Sequence, residues 1–265
     1  MLSDLGSTLG SADSTFDDVA RLALGGDIPV VVHGGGAEAS RWLERMGIPS
    51  RFERGLRVTD EAVLPVVVAV FAGLVNKRIV SAINACGGRA VGISGADGRL
   101  LECRLAEPEL GYVGEPVTVN PAVLDVLRTA GLTPVVSSIG FVPGDKVDQL
   151  VNVNADTVAG NIAAAVGARE LVFLTDVPGV KGSDGFVISR LDEVSSRALI
   201  TSGVIAGGMI PKVEACLHAL GLGVPSRIID GRLPRALLAR ESGGTLFVAG
   251  GFHVLTSAGF PFLTE

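Results

Sequence analysis

Short, strongly apolar runs recur along the chain, and the segments between them return to apolar residues at every third or fourth position. The runs "IPVVVH" (28–33), "RAVGIS" (89–94), "TPVVSS" (133–138), "ELVFLT" (170–175), "SRIID" (226–230) and "GTLFVA" (244–249) predict buried strands. Helical spacing extends over 37–46, 61–85, 120–130, 155–167, 192–202, 211–221 and 233–241. This alternation predicts an α/β fold with a mostly parallel sheet and helices on both faces. Segments 99–119 and 181–190, with glycine turns and short alternating runs, read as hairpins. A change of character near residue 168 suggests two lobes, 1–168 and 169–250, followed by an apolar tail, 251–265, that fits no clear element.

Composition narrows this picture. Of 265 residues, 48% are hydrophobic but only 5% aromatic, so the core is built from Val, Ala, Leu and Ile; the 36 glycines supply many tight turns. A net charge of −6 argues against a general nucleic-acid binder, so no nucleic-acid partner is expected. Cys86, Cys103 and Cys216 form no CxxC pair, and they read as reduced core residues of a cytoplasmic protein. The longest apolar stretch, Ala62 to Val75, contains Pro65 and falls short of the ~20 residues of a membrane span. It reads as a helix of the core or of a dimer seam, with no membrane role, and no signal peptide is visible.

Five stretches could carry chemistry. In "PVVVHGGGAEAS" a buried strand runs into three glycines and a helix start, where the backbone can approach an anion; an ordinary strand-to-helix turn reads the same way. "RGLRVTDEA" places Arg57 in the approach to a helix capped by Thr59 or Asp60, able to grip a carboxylate or simply to face solvent. "QLVNVNADTVAG" puts Asn152 and Asn154 on one face at a strand end, with Asp156 in the following helical turn; Asn154 also suits a plain helix cap. "IAGGMIPKVEA" sets Lys212 at a helix N-terminus, a poor place for a cation unless an anion shares it. "FLTDVPGV" ends a strand in Asp176 and a Pro-Gly turn suited to a nucleotide edge.

In this order the motifs are specific. "VVVHGGG", "GLRVTDEAVL", "GISGADG", "VNVNADT", "FLTDVPGV", "GVIAGGMIPKVEAC" and "IIDGR", with the closing "GGTL", resemble the acetylglutamate kinases of the amino acid kinase family from about residue 30 to 248. The resemblance implies an open three-layer αβα sandwich, usually a homodimer, with N-acetylglutamate on the N-terminal lobe and ATP, with Mg²⁺, on the C-terminal lobe. The implied reaction is phosphorylation of the γ-carboxylate of N-acetyl-L-glutamate, the second step of arginine biosynthesis. By position, Gly35 and Gly36 would contact the amino acid substrate, Arg57 its α-carboxylate and Asn152 its acetylamino group. Lys212 would stabilise the phosphoryl group in flight and Asp156 would orient the lysines. Asp176, Val177, Gly179, Gly207, Gly208 and Met209 would lie near the nucleotide. No metal held by protein ligands is implied.

One motif departs from the family's pattern. In "MLSDLGSTLG", Gly6 and Ser7 occupy the first glycine turn, a degenerate phosphate loop, and Asp4 stands where the family has a catalytic lysine; Lys77 is the first lysine in the chain. A late start, a weaker enzyme relying on Lys212 and Mg²⁺, and a ligand-binding or regulatory homologue all accommodate this. An aminoadipate-derivative kinase of lysine biosynthesis is a further alternative, since Arg57, Asn152 and the glycines serve either substrate. No segment precedes Gly6 that could form the extra helix linking dimers into rings in arginine-inhibited members, so a dimer without that ring is expected.

Overall fold

The computed structural model describes residues 14–239 and 243–250. In chain order its elements begin with α1 (Thr15–Leu24), β1 (Val31–His33), α2 (Gly36–Arg45), β2 (Phe52–Glu53), β3 (Leu56–Arg57) and α3 (Val63–Val68). A π-helical segment, Ala69–Val75, joins α3 to α4 (Asn76–Ala85), followed by β4 (Ala90–Ser94), β5 (Leu101–Leu105), β6 (Val113–Val119), α5 (Ala122–Thr129) and β7 (Thr133–Ser137). Next come β8 (Ile139–Val142), β9 (Gln149–Val153), α6 (Ala155–Ala165), β10 (Leu171–Thr175), β11 (Arg190–Leu191) and α7 (Glu193–Thr201). The last elements are α8 (Met209–Gly221), β12 (Ser226–Asp230) and β13 (Thr245–Phe247).

The layers follow from strand alternation. β1 and β4 flank β7 in parallel, and β10 pairs in parallel with β12, which continues through β13 to β11. Successive side chains point to opposite faces. Val31, Val135, Ala90, Leu174 and Ile229 join a core with α1, α2 and the 63–85 helix, whereas Val32, Val136, Phe173 and Ile228 join another with α5, α6 and α8. Helices therefore cover both faces of the mostly parallel strands, which is the expected αβα sandwich. The antiparallel exception is β12 against β13.

The helix over 63–85 buries Val63, Val67, Phe71, Val75, Ile79 and Ile83, a stripe at four-residue steps. It is longer than the apolar stretch in the sequence suggests: its 23 residues are long and apolar enough to cross a membrane by length and composition. Here that stripe is packed in the sandwich core, with Asn76 buried within it.

The structure corrects several expectations. Helix α1 and the β2–β3 hairpin are absent from the sequence reading, as is β8, which closes a small barrel with β5, β6 and β9. Segment 99–119 forms the expected hairpin, β5–β6, and 181–190 turns back on itself as expected, though only through one antiparallel bridge, Lys181 with Val187. The expected helix at 233–241 is not formed among the described residues: Arg235 takes φ +61°, and 231–238 is a chain of turns. Its side chain is drawn to Asp18 (3.1 Å) and Asp17 of α1, while its N–H donates to Ser14 Oγ (2.6 Å), and these tertiary bonds outweigh helix propensity. Cys86 is exposed at the end of α4 rather than in the core. Burial pushes the Cys103 and Cys216 thiols up to about 12, as expected for inert packing residues.

Candidate active site

The motifs lie on strands of different sheets: β1 in the β1-β7-β4 sheet, β3 in the β2–β3 hairpin, β9 in the small barrel and β10 in the β10-β12-β13-β11 sheet. After β1 the chain turns through Gly34 and Gly35 into α2, and a Cβ at Gly34 would lie 3.4 Å from the Ala155 Cβ at the start of α6. A Cβ at Gly35 would lie 2.8 Å from Phe71 and 3.3 Å from Val75 of the π-helical segment, so a glycine is required there by packing. Ser138 links the two turns: its N–H donates to the His33 carbonyl (3.2 Å) and its carbonyl accepts from Val153 N–H (3.0 Å).

Arg57 lies on β3, in a hairpin strand rather than the expected loop, because Arg54 (φ +49°) and Gly55 (φ +80°) make a turn whose twist suits tight hairpins. It is 6% exposed. Its guanidinium lies over the Phe52 ring, 4.6 Å from the centroid, and donates to the Gly36 carbonyl and Ser40 Oγ, both at 2.8 Å, and to Ser50 Oγ. No carboxylate pairs with it among the described residues, and burial lowers its pKa. Arg54, by contrast, is an exposed partner of Glu107.

Asp60, not Thr59, caps the next helix, its Oδ1 accepting from Ala62 and Val63 N–H at 3.0 Å. Thr59 is fully buried and does something else. Its hydroxyl donates to the Arg57 carbonyl (2.8 Å) and accepts from Asn152 Nδ2 (3.0 Å), tying β3 to β9. Parallel pairing of β6 with β9 fixes Asn152 opposite Val113. Asn154 is the N-cap of α6, accepting from Thr157 N–H at 3.0 Å.

Asp156 follows in the first turn of α6. Its Oδ1 is buried without a hydrogen-bond partner among the described residues. Burial pushes this carboxyl above its ordinary value, while the charge of Lys212 on α8 pulls it back. α6 packs against α8, but no direct ion pair joins Asp156 to Lys212 among the described residues. α8 starts at Met209, two residues before the expected 211, and Gly207 enters it at φ +56°, a left-handed turn that favours glycine. Asp176 is exposed after β10; Val177 N–H donates to Thr175 Oγ1 at 3.3 Å. Gly179 (φ +143°) lets the chain press on β13, since a Cβ there would meet Thr245 Oγ1 at 2.8 Å. No hydrogen bond among the described residues joins this turn to Asp156 or Lys212.

Gly36, Arg57 and Asn152 are thus linked by hydrogen bonds through Thr59, the glycine turn meets the start of α6 where Gly34 faces Ala155, and Asp156 beside Ala155 feels the charge of Lys212. Asp4, Gly6 and Ser7 lie outside the described residues. The sequence reading missed His33 and Asn76, and it took Thr59 for a helix cap rather than the bridge between Arg57 and Asn152. Asn76 had a visible signal, an amide inside the apolar helical run "GLVNKRIV".

A sequence profile of the amino acid kinase family matches residues 5–230. The acetylglutamate kinase of Parasynechococcus marenigrum is 48% identical over 231 residues, covering 85% of this chain and 78% of that protein. That of Synechococcus elongatus is 47% identical over 251 residues, covering 91% and 82%. Among solved structures, smu.665 from Streptococcus mutans superposes with a TM-score of 0.80 at 25% identity, over 94% of this chain and 97% of that one.

Proposed function

The chain belongs to the amino acid kinase family, and from that premise we propose that it is an acetylglutamate kinase, transferring the γ-phosphoryl group of ATP to the side-chain carboxylate of N-acetyl-L-glutamate in the second step of arginine biosynthesis. The observation that carries the substrate assignment is Arg57: a buried guanidinium beside the glycine turn, met among the described residues by neutral acceptors alone. A carboxylate ligand completes such a site, because a desolvated cation gains most from an anionic, bidentate partner. Gly35 and Gly36 contact the substrate beside it, and Asn152, held by Thr59, takes the acetylamino group.

The chemistry needs no general base. A side-chain carboxylate with a pKa near ~4.3 is already ionised at neutral pH. Its oxygen attacks the γ-phosphorus, the bond from that phosphorus to the bridging oxygen of ADP breaks, and no proton is transferred. The work left to the protein is holding two anions in line and stabilising charge on the transferring group. Lys212 does this at the start of α8, with Asp156 as its organiser. Asp176, Val177, Gly179, Gly207, Gly208 and Met209 form the nucleotide edge in the C-terminal lobe, 169–250, and the amino acid sits on the N-terminal lobe, 1–168. Mg²⁺ would enter bound to the triphosphate and screen its charge.

The protein works in the cytoplasm as a homodimer, a reading supported by the outward face of the 63–85 helix, where Leu64, Pro65, Val68, Ala69 and Ala72 are apolar and not fully buried. The decisive experiment traps the acyl phosphate with hydroxylamine in the presence of ATP. Hydroxamate from N-acetylglutamate, in excess over that from aminoadipate derivatives, is the expected result. A preference for aminoadipate derivatives moves the protein to the lysine-pathway reading, and no hydroxamate from any acceptor, despite ATP binding, overturns kinase activity.

A further inference from the structure

Beneath the glycine turn lies a polar cluster that no role above uses. His33 and Asn76 are both fully buried, at the end of β1 and the start of α4. Lys77 Nζ, a donor only, lies 2.9 Å from one terminal atom of the Asn76 amide, so that atom is the oxygen. The amide nitrogen then faces the carbonyls of Val135 (2.9 Å) and Ile93 (3.3 Å) and, at 3.0 Å, His33 Nε2. An amide nitrogen offers only protons, so Nε2 accepts and is unprotonated. The other ring nitrogen, Nδ1, lies 2.7 Å from the Gly34 carbonyl oxygen, which can only accept. Two independent partners therefore select one state of the ring, the neutral Nδ1–H tautomer. Burial favours the same state, lowering His33 to about 4 against the raising effect of its Gly34 bond, with the Lys77 charge adding to the fall. The arrangement depends on Gly92, where a Cβ would lie 1.8 Å from Asn76 Oδ1.

This tautomer has a consequence one peptide further on. The Gly34–Gly35 bond is trans, so the Gly34 carbonyl and the Gly35 N–H point in opposite directions. His33 holds the carbonyl from the interior, which turns the N–H outward at the start of α2, and that N–H has no partner among the described residues. We propose that His33 is a positioning residue: its Nδ1–H clamps the Gly34 carbonyl and so aims the Gly35 N–H at the anionic groups that react. The proposal rests on the kinase reading for what those groups are, but the clamp is a property of the chain alone.

Two substitutions separate the clamp from mere packing. His33→Gln places its amide where Nε2 was and keeps the Asn76 contact but loses the donor to Gly34. His33→Asn places a donor where Nδ1 was, and Asn76 keeps the Val135 and Ile93 carbonyls. The expected result is a fall in kcat of about 10- to 100-fold for His33→Gln, with the KM for ATP changed far less, and recovery of most of that loss in His33→Asn. Equal impairment of both variants at equal melting temperature, or a fully active His33→Gln, overturns the proposal. Imidazole ¹⁵N spectra of the substrate-free wild-type chain read the clamp without turnover. A protonated Nδ1 and bare Nε2 from pH 8 to pH 5 are expected, and an Nε2–H or cationic ring in that range refutes it. If wild-type protein yields no hydroxamate, the kinase reading fails. The spectra, together with movement of the Gly35 amide resonance in His33→Gln but not in His33→Asn, still decide the clamp.

Discussion

At the scale of single residues, the candidate site gathers buried and half-buried polar groups whose partners are incomplete among the described residues. Arg57 carries its charge into the interior with oxygen acceptors but no carboxylate among the described residues. Replacing it by Ala removes one side of a buried charge pair, worth about 2–5 kcal/mol, so the KM for N-acetylglutamate is expected to rise roughly 30- to 4,000-fold, with the KM for ATP little changed, in steady-state kinetics. Asp156 is the opposite case, a carboxyl that burial pushes upward. Its folded-state pKa lies above the unfolded one, so its favourable contribution is present below the unfolded value and lost as pH rises through the folded one. Asp156→Asn is therefore expected to melt higher than wild type at pH 7, with the gap closing as pH falls toward the ordinary carboxylate value near ~3.8, while kcat drops. A variant that loses neither stability cost nor turnover argues against Asp156 as organiser of Lys212. For Asp4, which only the sequence places, Asp4→Lys is expected to raise kcat sharply; an unchanged kcat shows that the alignment of the opening glycine turn is wrong.

At the scale of elements, what the sequence displayed was what local periodicity encodes. The runs behind β7, β10 and β12 are buried on both faces and stand out as apolar blocks, and the run behind β4 is half-buried. By contrast β2 and β3 are two residues each, too short for any period, and the β8 run, "IGFV", sits directly after β7 with one residue between them. Helix α1 had a readable apolar spacing in Phe16, Val19 and Ala20, with Asp17 and Asp18 in its first turn. The π-helical segment could not be read: its widened turn brings Phe71 and Val75 against Gly35, a contact between elements distant in sequence. Deleting Gly73, on the exposed side of that segment, is expected to leave a folded protein, since removing one residue returns a π turn to α geometry and keeps both flanks in register. Activity should nevertheless fall about tenfold or more, because the wall behind Gly35 shifts. A deletion at Ala82, in regular helix, rotates Ile83 out of the core and should unfold the chain by circular dichroism.

At the scale of the whole molecule, the outward apolar face of the 63–85 helix is the feature on which the proposed homodimer rests. Light scattering is expected to give twice the chain mass, and Ala69→Glu to give monomers; a monomeric wild type refutes the dimer. The sequence by itself determined the α/β class, the order of the motifs and their chemical types, because burial on two faces and helix amphipathicity leave periodic marks on the chain. It also marked Arg57, Asn152, Asp156 and Lys212 as residues of interest. Only the tertiary structure decided that Arg57 is buried among neutral acceptors, that Thr59 bridges it to Asn152, that Arg235 breaks an expected helix, and that His33 is held in one tautomer. Each of these depends on at least one partner distant along the chain, from 21 positions for Arg57 with Gly36 and 43 for His33 with Asn76 to 221 for Arg235 with Ser14. Hydrogen bonds and desolvation act through space, and no local pattern of residues records which distant groups folding will bring within 3 Å.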